Sequence, residues 1–400
     1  MLKGVAMRRS KRFGLVILCV LAATVSACGP TVRQEQASTP VAMEATTVAE
    51  APSAAPAATT AIPSPPTVTS TAPPPSPTVE PSPTATTTPT STPVPQPTNT
   101  PAPPTPTADP WAAYAPLTIE GLRSRGYGEG QIETVRVLEE TAAFTRLLFA
   151  YRGDGLRLTG MMNRPKGEGP FPVVILNHGY YPIDVYQTGN GTKLAADYLA
   201  SRGFLTLSPD FRSHAGSDDA PNLFRAGHVI DVLNLIPLAQ QMPDARPGKV
   251  GMWGHSNGGA ITAKAIVVSD QIAAAVIYAP ASSNIVEDYG FRVERARSRG
   301  AEIDPIEWPV KPEEGPELYE RLSPLPYLKY VQAPVQIHYG TADQTVPLKW
   351  PDDLRKGLEA AGKDVTMYVY EGQPHSFQGA PNGLYLQRMA EFFEQRVRDS

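Results

Sequence analysis

The chain has few cysteines, and this limits the ways in which it can be stabilised. Its 400 residues include only Cys19 and Cys28, and Cys19 lies in an apolar N-terminal segment with the features of a signal peptide. Removal of that segment leaves one cysteine, so the exported part has no disulfide available. We therefore expect a packed hydrophobic core to hold the folded part together.

Basic residues are also scarce over a long part of the chain. The net charge is −4, and no Lys or Arg occurs between Arg33 and Arg123. This balance offers no attraction for nucleic acid, so no nucleic-acid partner is predicted. The chain also lacks His-Glu-x-x-His and paired-cysteine motifs, so neither a metal site nor a cofactor is predicted.

Residues 1–27 have the pattern of a bacterial lipoprotein signal peptide. A basic cluster precedes an apolar stretch from Phe13 to Val25, which is too short for a comfortable transmembrane helix. The small residues ahead of Cys28 resemble a lipobox, in which the cysteine is lipid-modified and becomes the new N-terminus. We therefore predict an extracytoplasmic protein, anchored to the bacterial cell membrane by lipid on Cys28. An ordinary secretory signal with an incidental cysteine is the alternative.

Residues 28–110 consist mainly of Pro, Thr, Ser and Ala. A segment of this composition cannot bury enough apolar surface to offset the entropy lost on ordering it. We therefore predict a disordered tether that separates the anchor from a folded domain over residues 111–400.

The folded part begins with alternating apolar and polar residues and continues with apolar runs. The alternation over 131–139, 143–151 and 156–163 predicts antiparallel strands. Later runs such as 171–177 are continuously apolar, as strands buried on both faces are, and they alternate with helical segments. The sequence therefore predicts the α/β class, with a mostly parallel central sheet, antiparallel N-terminal strands and helices on both faces.

Residues 281–332 interrupt this alternation. The segment is charged and rich in proline, and it lies between two predicted core strands. Insertions at such a place commonly form lids or substrate walls, so we predict a lid-like insertion. A surface excursion without a role in substrate choice is the alternative.

A short glycine-flanked motif indicates the chemistry. Gly254-His255-Ser256-Asn257-Gly258 follows an apolar run and precedes a helical segment, which is the pattern of a G-x-S-x-G nucleophile elbow. The glycines suit a turn in which the serine has a strained backbone and a Cβ on either side would collide. We predict Ser256 as the nucleophile and the backbone N–H of Asn257 as an oxyanion donor.

Two later loops supply a candidate acid and a candidate base. Asp343 follows the predicted strand 335–339, and His375 follows the predicted strand 365–370. A serine needs an imidazole to take its proton, and the imidazole needs a carboxylate, in the chain order Ser, Asp, His. We therefore expect the hydroxyl of Ser256 to lie within hydrogen-bond reach of His375. The alternatives are that Asp343 caps a helix and that His375 is an ordinary turn residue.

A second oxyanion donor is expected from the loop after an early strand. In His178-Gly179-Tyr180 the glycine permits close approach, so the amide of Tyr180 is the candidate donor and His178 is expected to orient the loop. Buried structural roles are expected for His255 and His338. Loop or surface positions are expected for the two remaining histidines, His214 and His228.

Five motifs together resemble the α/β-hydrolase superfamily: His178-Gly179, Asp210-Phe211-Arg212, Gly254 to Gly259, Gly340-Thr341-Ala342-Asp343 with Val346-Pro347, and His375-Ser376-Phe377. Within it the chain is similar to the prolyl-oligopeptidase-like catalytic domain and to dienelactone-hydrolase-like esterases, over about Phe144 to Arg398. The resemblance implies an α/β-hydrolase fold, a serine hydrolase activity and no cofactor. It also implies that Asp210 and Arg212 brace the edge of the sheet.

The chain departs from that family in one respect. Oligopeptidases of the family carry a propeller ahead of the catalytic domain, whereas only about 60 residues lie here between the tether and His178, too few for a propeller. We therefore predict hydrolysis of a small-molecule carboxylic ester. A serine peptidase acting on short peptides is the alternative, and a non-catalytic, surface-displayed binding module is the alternative from another class. The oligomeric state is not predicted.

Overall fold

The computed structural model describes residues 109–399, whose strands form a nine-stranded sheet. The predicted signal peptide, Cys28 and nearly all of the predicted tether lie outside the described residues. The strands are β1 (Glu129–Glu140), β2 (Phe144–Gly153), β3 (Leu156–Pro165), β4 (Val173–Asn177), β5 (Leu205–Pro209), β6 (Val250–His255), β7 (Ile272–Tyr278), β8 (Val335–Gly340) and β9 (Val365–Tyr370).

Eight α-helices connect and cover the strands within the described range. They are α1 (Ile119–Ser124), α2 (Lys193–Ala200), α3 (Ala226–Gln240), α4 (Asn257–Val268), α5 (Ile285–Arg297), α6 (Pro316–Leu322), α7 (Lys349–Ala360) and α8 (Gly379–Phe393). Short 3₁₀ segments span Ala112–Leu117, Leu223–Arg225 and Leu325–Tyr330, and a π-helical turn spans Glu394–Arg398. Among the helices of residues 109–399, none is both long enough and apolar enough to cross a membrane.

The strand order is β1-β2-β3-β5-β4-β6-β7-β8-β9. Strands β1 to β3 pair antiparallel with one another, and β3 also pairs antiparallel with β5. From β5 to β9 every pair is parallel, with Val174 opposite Gly251 in the β4–β6 pair. The predicted mostly parallel sheet with an antiparallel start is therefore confirmed.

The central strands bury side chains on both faces. Along β4, Val173 and Ile175 belong to one hydrophobic core, whereas Val174 and Leu176 belong to another. The first core contains side chains of α3, α4 and α7, and the second contains side chains of α2 and α8. Successive side chains of a strand point to opposite faces, so a strand covered by helices on both sides must be apolar throughout.

Strand β1 is a long, exposed edge of the sheet. None of its twelve residues is buried. Its pairing with β2 shifts register at three places, the first between Glu129 and Glu133. Both of its last two residues, Glu139 and Glu140, are charged. Only a partial cover is present here: Ile132 packs against the first hydrophobic core, while the other apolar side chains of the strand are not buried.

Residues 281–332 lie between β7 and β8 and contain α5, α6 and the last 3₁₀ segment. They form a small hydrophobic core of their own with a residue that precedes α3. Its buried members are Phe224, Ile285, Trp308, Val310, Leu318, Tyr319 and Leu322. This core fixes α5 above the carboxyl ends of β6 and β7, where the candidate site lies.

Helix α3 begins later than the apolar pattern from residue 222 indicates. Phe224 and Arg225 have positive φ angles of 46° and 62°, which lie outside the right-handed α region, so the regular α-helix starts only at Ala226. The chain turns sharply here, Phe224 enters the small core, and the side chain of Arg225 reaches Asn257. This strained turn therefore connects the insertion to the elbow.

Candidate active site

Ser256 lies in a tight turn between β6 and α4. Its φ and ψ angles of 58° and −120° are strained for a residue with a side chain. The backbone holds this conformation with several hydrogen bonds: the N–H of Ser256 donates to the carbonyl of Tyr278 at 2.9 Å, and its own carbonyl accepts from Gly259 and Ala281. The strain therefore persists because β7 and the first turn of α4 fix both sides of the peptide.

The elbow glycines are required by close approach. A Cβ on Gly258 would lie 1.9 Å from the carbonyl oxygen of Asn177, and one on Gly254 would lie 2.1 Å from the carbonyl oxygen of Gly258. Both distances are far inside van der Waals contact, so a side chain at Gly258 would push α4 away from β4, and one at Gly254 would push it away from β6.

Asp343 and His375 are hydrogen-bonded to each other. The side chain of Asp343 is fully buried, and one oxygen accepts from the N–H groups of Thr345 at 2.7 Å and Val346 at 2.9 Å. Nδ1 of His375 donates to the other oxygen at 2.7 Å. Burial raises the pKa of Asp343, but the bonds from His375 and the two N–H groups outweigh it and hold the pKa below its usual value of 3.8. The carboxylate is therefore ionised and orients the imidazole.

His255, the neighbour of Ser256, supports the loop that carries His375. Burial, together with the charge of His375, lowers the pKa of His255 to about 3, so its ring is neutral. Its Nε2–H donates to the carbonyl oxygen of His375 at 3.0 Å, and the two rings lie 4.6 Å apart. The acid and base loops are also joined directly, because the N–H of Ala342 donates to the carbonyl of Gln373 at 3.0 Å. The buried role expected of His255 thus includes contact with the candidate base.

The expected hydrogen bond between Ser256 and His375 is not formed among the contacts of residues 109–399. The His375 ring nevertheless lies 4.6 Å from the ring of His255, the residue that precedes Ser256. Catalytic hydrogen bonds are often long in enzymes without substrate and shorten when the substrate binds.

The two candidate oxyanion donors border Ser256 from different elements. Asn257 is the first residue of α4, whose free N–H groups and positive dipole end face the turn. A Cβ placed on Gly179 would lie 3.4 Å from the Cβ of Ser256, so the loop that continues into Tyr180 passes beside the candidate nucleophile. Tyr180, Ser256 and Asn257 line one cavity of about 190 Å³.

The rest of this cavity is lined by aromatic rings and arginines. Phe291, Trp308 and Trp350 form apolar walls. Four arginines also line it, none of which was predicted as a site residue: Arg225, Arg292, Arg295 and Arg299. The last three are spaced by three and four residues, which puts them on one side of α5 and its C-terminal extension. That spacing within the charged insertion is the signal by which they could have been found.

The side chain of Asn257 is held by two of these arginines. Its Oδ1 accepts from Nη2 of Arg225 at 2.9 Å and from Nη2 of Arg292 at 3.0 Å. Arg292 also donates to Asp288 at 2.7 Å, and Arg225 lies 3.6 Å from Glu307. The residue that follows the nucleophile is therefore fixed by side chains from α5 and from the turn before α3.

The interpretation of His214 and His228 as loop or surface residues is wrong for His228, which is buried within α3. His214 does lie in a loop, the one after β5, but it is not at the surface. Both are 6% exposed. They belong to a stack in which the ring of Phe211 lies 4.3 Å from that of His178 and 4.9 Å from that of His228. The loops after β4 and β5 fold over the edge of the sheet and pack their rings on one another, which no local pattern indicates.

Asp210 and Arg212 lie in the loop after β5 and make dense contacts. Asp210 accepts hydrogen bonds from the hydroxyls of Thr159, Tyr186 and Thr188 at 2.6 to 3.0 Å. Arg212 forms a buried ion pair with Asp231 of α3 at 2.7 Å. These contacts tie β3, β5 and α3 together at the edge of the sheet beside the oxyanion loop. Within residues 109–399, no group of three or more His, Cys, Asp or Glu side chains could hold a metal ion.

The fold and the site together define a class of protein. A mostly parallel sheet with a strained serine between β6 and α4, and an Asp–His pair on the loops after β8 and β9, is an α/β-hydrolase. Residues 191–400, just over half of the chain, match the prolyl oligopeptidase family, and the chain belongs to that family. This membership identifies a serine hydrolase and leaves its substrate open.

Similar proteins include both esterases and peptidases. An uncharacterized peptidase of Bacillus subtilis, YtmA, is 23% identical over 247 residues, which is 62% of this chain and 92% of that protein. Esterase EstD of Thermotoga maritima is 33% identical over 109 residues, and the match covers 26% of each chain. The chain therefore spans only about a quarter of EstD.

Two solved structures share the fold. Acetyl xylan esterase 1 from Thermoanaerobacterium sp. superposes with a TM-score of 0.54 and 18% identity, covering 71% of this chain and 93% of that one. Pyrococcus horikoshii acylaminoacyl peptidase gives a TM-score of 0.53 and 25% identity, covering 64% of this chain and 42% of that one. The common element is the hydrolase domain.

Proposed function

We propose that the chain hydrolyses carboxylic esters of small molecules through a Ser256-His375-Asp343 triad and an acyl-enzyme. The observation that carries the proposal is the 2.7 Å hydrogen bond between Asp343 and His375, next to a serine whose backbone is strained. A buried carboxylate on Nδ1 fixes the tautomer in which Nε2 is free to accept a proton, as a base for serine requires.

The reaction has two halves. The hydroxyl oxygen of Ser256 attacks the ester carbonyl while Nε2 of His375 takes its proton. The tetrahedral intermediate then collapses, the bond to the alcohol oxygen breaks, and His375 returns the proton to the leaving alcohol. In the second half His375 takes a proton from water, hydroxide attacks the acyl-enzyme, and Ser256 leaves with a proton as the acid is released.

The protein stabilises the charge that develops in each half. The backbone N–H groups of Asn257 and Tyr180 are the proposed donors to the oxyanion, which the positive end of the α4 dipole also favours. Asp343 stabilises the imidazolium that forms on His375 and keeps its own charge, because its pKa lies below the usual value.

An ester is favoured over a peptide by the architecture ahead of the site. Within residues 109–399, the segment before β4 consists of α1, a 3₁₀ turn and strands β1 to β3 of the same sheet, and no second domain covers the cavity. The similarity to an esterase at 33% identity over part of the chain supports the same choice. Peptide hydrolysis by the same triad is the second candidate, supported by the family itself.

We also propose that the hydrolase is displayed outside the cytoplasm on a lipid anchor at Cys28. The support is the sequence pattern of residues 1–28 and the Pro-, Thr- and Ser-rich segment that follows. Cells expressing the full chain and fed an alkyne-tagged fatty acid should label it, whereas the Cys28→Ala variant should not. Equal labelling of both would disprove the anchor.

A fluorophosphonate probe tests the triad. The wild type should be labelled covalently, Ser256→Ala should not be labelled, and Asp343→Asn should lower kcat for an ester by about 10⁴-fold because the imidazole takes the wrong tautomer. Circular dichroism would verify that both variants fold. An unlabelled but folded wild type would favour the non-catalytic binding module.

A substrate panel then separates the two hydrolase candidates. We expect short-chain para-nitrophenyl esters to be turned over with higher kcat/KM than peptide para-nitroanilides, after correction for their unequal intrinsic reactivity. A preference for the anilides would make the chain a peptidase.

A further inference from the structure

The cavity beside Ser256 carries more positive charge than its own carboxylates neutralise. Of its four arginines, Arg292 is paired with Asp288 and Arg225 lies near Glu307. Neither Arg295 nor Arg299 forms an ion pair within residues 109–399. Two cationic groups without an internal partner therefore face the same space as the candidate nucleophile.

The four positive charges are held close together, and their mutual repulsion is energetically unfavourable. Arg295 lies three residues after Arg292 and four before Arg299, and like charges at such spacing repel. Burial, and next the charge of Arg299, lower the pKa of Arg295. Burial, and next the charge of Arg292, lower the pKa of Arg225 to about 10. The cluster thus lacks an anion that would stabilise it.

Two of the guanidinium groups also have unused donors. Nε of Arg225 and Nε of Arg295 are buried without a hydrogen-bond partner. A planar guanidinium binds a carboxylate with parallel N–H donors, so the missing anion matches the chemistry of a carboxylate.

The helix dipole does not explain the cluster. A basic residue in the last turn of a helix is generally stabilised by the helix dipole. Arg297 of α5 is such a residue: it faces solvent and forms an ion pair with the exposed Glu294. Arg295 instead turns inward, with its guanidinium 5.4 Å from the ring of Tyr180. Arg299 lies beyond the end of α5, at an exposed position from which it still lines the cavity. The dipole would be satisfied equally well by arginines that face solvent, so it does not explain why Arg295 and Arg299 line the cavity.

We propose that this arginine-lined cavity binds a carboxylate carried by the substrate, at the far end of an apolar acyl group that packs against Phe291, Trp308 and Trp350. The inference rests on the proposed hydrolase function and narrows its substrate class to half-acids, in which one carboxyl is esterified and the other is free. An acidic side chain of a peptide is the other source of the same chemistry.

A matched pair of esters tests the proposal. Para-nitrophenyl hydrogen adipate carries a free carboxylate, and para-nitrophenyl hexanoate has the same number of acyl carbons without it. The wild type should favour the adipate ester in kcat/KM by about tenfold or more, as expected for a desolvated Arg–carboxylate contact. The preference should fall as ionic strength rises.

Variants assign the preference to the cavity. The double variant Arg295→Gln, Arg299→Gln should lower the adipate-to-hexanoate ratio by about tenfold. Arg297→Gln removes the same charge from the solvent side of α5 and should keep the wild-type ratio. A ratio that is unchanged in the double variant, or that falls equally in Arg297→Gln, would overturn the proposal.

A second pair identifies the source of the carboxylate. N-acetyl-glutamyl and N-acetyl-glutaminyl para-nitroanilide differ only in the acidic group. A charge preference confined to the ester pair supports a half-acid ester. A preference for the charged substrate that is confined to the anilide pair supports the carboxylate site with a peptide substrate. That result disproves the proposed esterase function. No preference in either pair would disprove the site.

A binding measurement separates this proposal from the proposed function. Calorimetry with Ser256→Ala, which cannot turn the ester over, should detect binding of para-nitrophenyl hydrogen adipate. Adding Arg295→Gln and Arg299→Gln to that variant should weaken binding by about tenfold. Such a loss would support the carboxylate site even if the wild type hydrolysed neither ester, whereas equal affinity would refute it.

Discussion

At the scale of single residues, Lys264 is the least expected side chain near the site. It lies on α4, is 3% exposed, and its Nζ has no hydrogen-bond partner. It borders a small cavity together with Asn257 and Asp288, yet it forms no ion pair within residues 109–399. Burial lowers its pKa to about 7, and the charge of Arg225 acts in the same direction. An unpaired buried amine normally destabilises a fold.

Replacing this lysine should therefore stabilise the protein. Between a folded pKa of about 7 and an unfolded value of 10.5, the unfolded chain holds more protons, so stability rises with pH over that window and is reduced at its lower end. Lys264→Met should raise the free energy of unfolding by about 2 kcal/mol near neutral pH. The gain should shrink toward zero at about pH 10.

Urea unfolding at the two pH values measures the effect. Lys249→Met, at an exposed position, is the control and should change stability by less than about 0.5 kcal/mol. A loss of stability in Lys264→Met near neutral pH would mean that the amine is charged and paired in solution.

At the scale of elements, the start of α4 sets the geometry of the site. Gly258 permits this helix to touch the backbone at the end of β4, where its missing Cβ would meet the carbonyl oxygens of Asn177 and His178. The same contact brings Asn257 beside the loop that carries Tyr180. The distance between the two proposed oxyanion donors therefore depends on the absence of a side chain at Gly258.

Gly258→Ala should separate the two donors. A Cβ 1.9 Å from a backbone oxygen cannot be accommodated without moving α4, so we expect kcat to fall by about 10²-fold or more and stability to fall by about 2 kcal/mol or more. Gly383→Ala in α8, where nothing lies within 4 Å of a new Cβ, is the control and should stabilise by up to about 1 kcal/mol.

Ester turnover and thermal unfolding of both variants would decide the point. If Gly258→Ala kept wild-type activity, close approach of α4 to β4 would not be what positions the donors. Loss of activity in Gly383→Ala as well would trace the effect to general destabilisation.

At the scale of the whole molecule, the features predictable from the sequence are local ones. The apolar run and glycines around Ser256, and the strands just ahead of Asp343 and His375, mark their elements within a few residues. Parallel strands bring their carboxyl ends to one edge, so these local patterns also imply where the loops meet. This explains why the sheet and the Asp343–His375 pairing could be predicted together.

The features that could not be predicted depend on packing between distant segments. Arg225 and Arg292 meet at Asn257 only because the turn before α3 and helix α5 fold over the same edge of the sheet. His214 and His228 are buried because the loops after β4 and β5 meet the start of α3 there, with the His214 ring edge-to-face against those of His178 and His228. The hydrophobic pattern around each of these residues does not indicate such contacts, because each contact depends on the position of a segment that is distant in the sequence.

The outer strand of the sheet has one last consequence. A long unpaired strand normally offers its free amides and carbonyls to the same strand of another copy. In β1, three register shifts in the pairing with β2 interrupt the regular spacing of these groups along the outer edge. Irregular edges of this kind disfavour continuous pairing with another strand, so β1 is a poor template for extending the sheet into a second molecule.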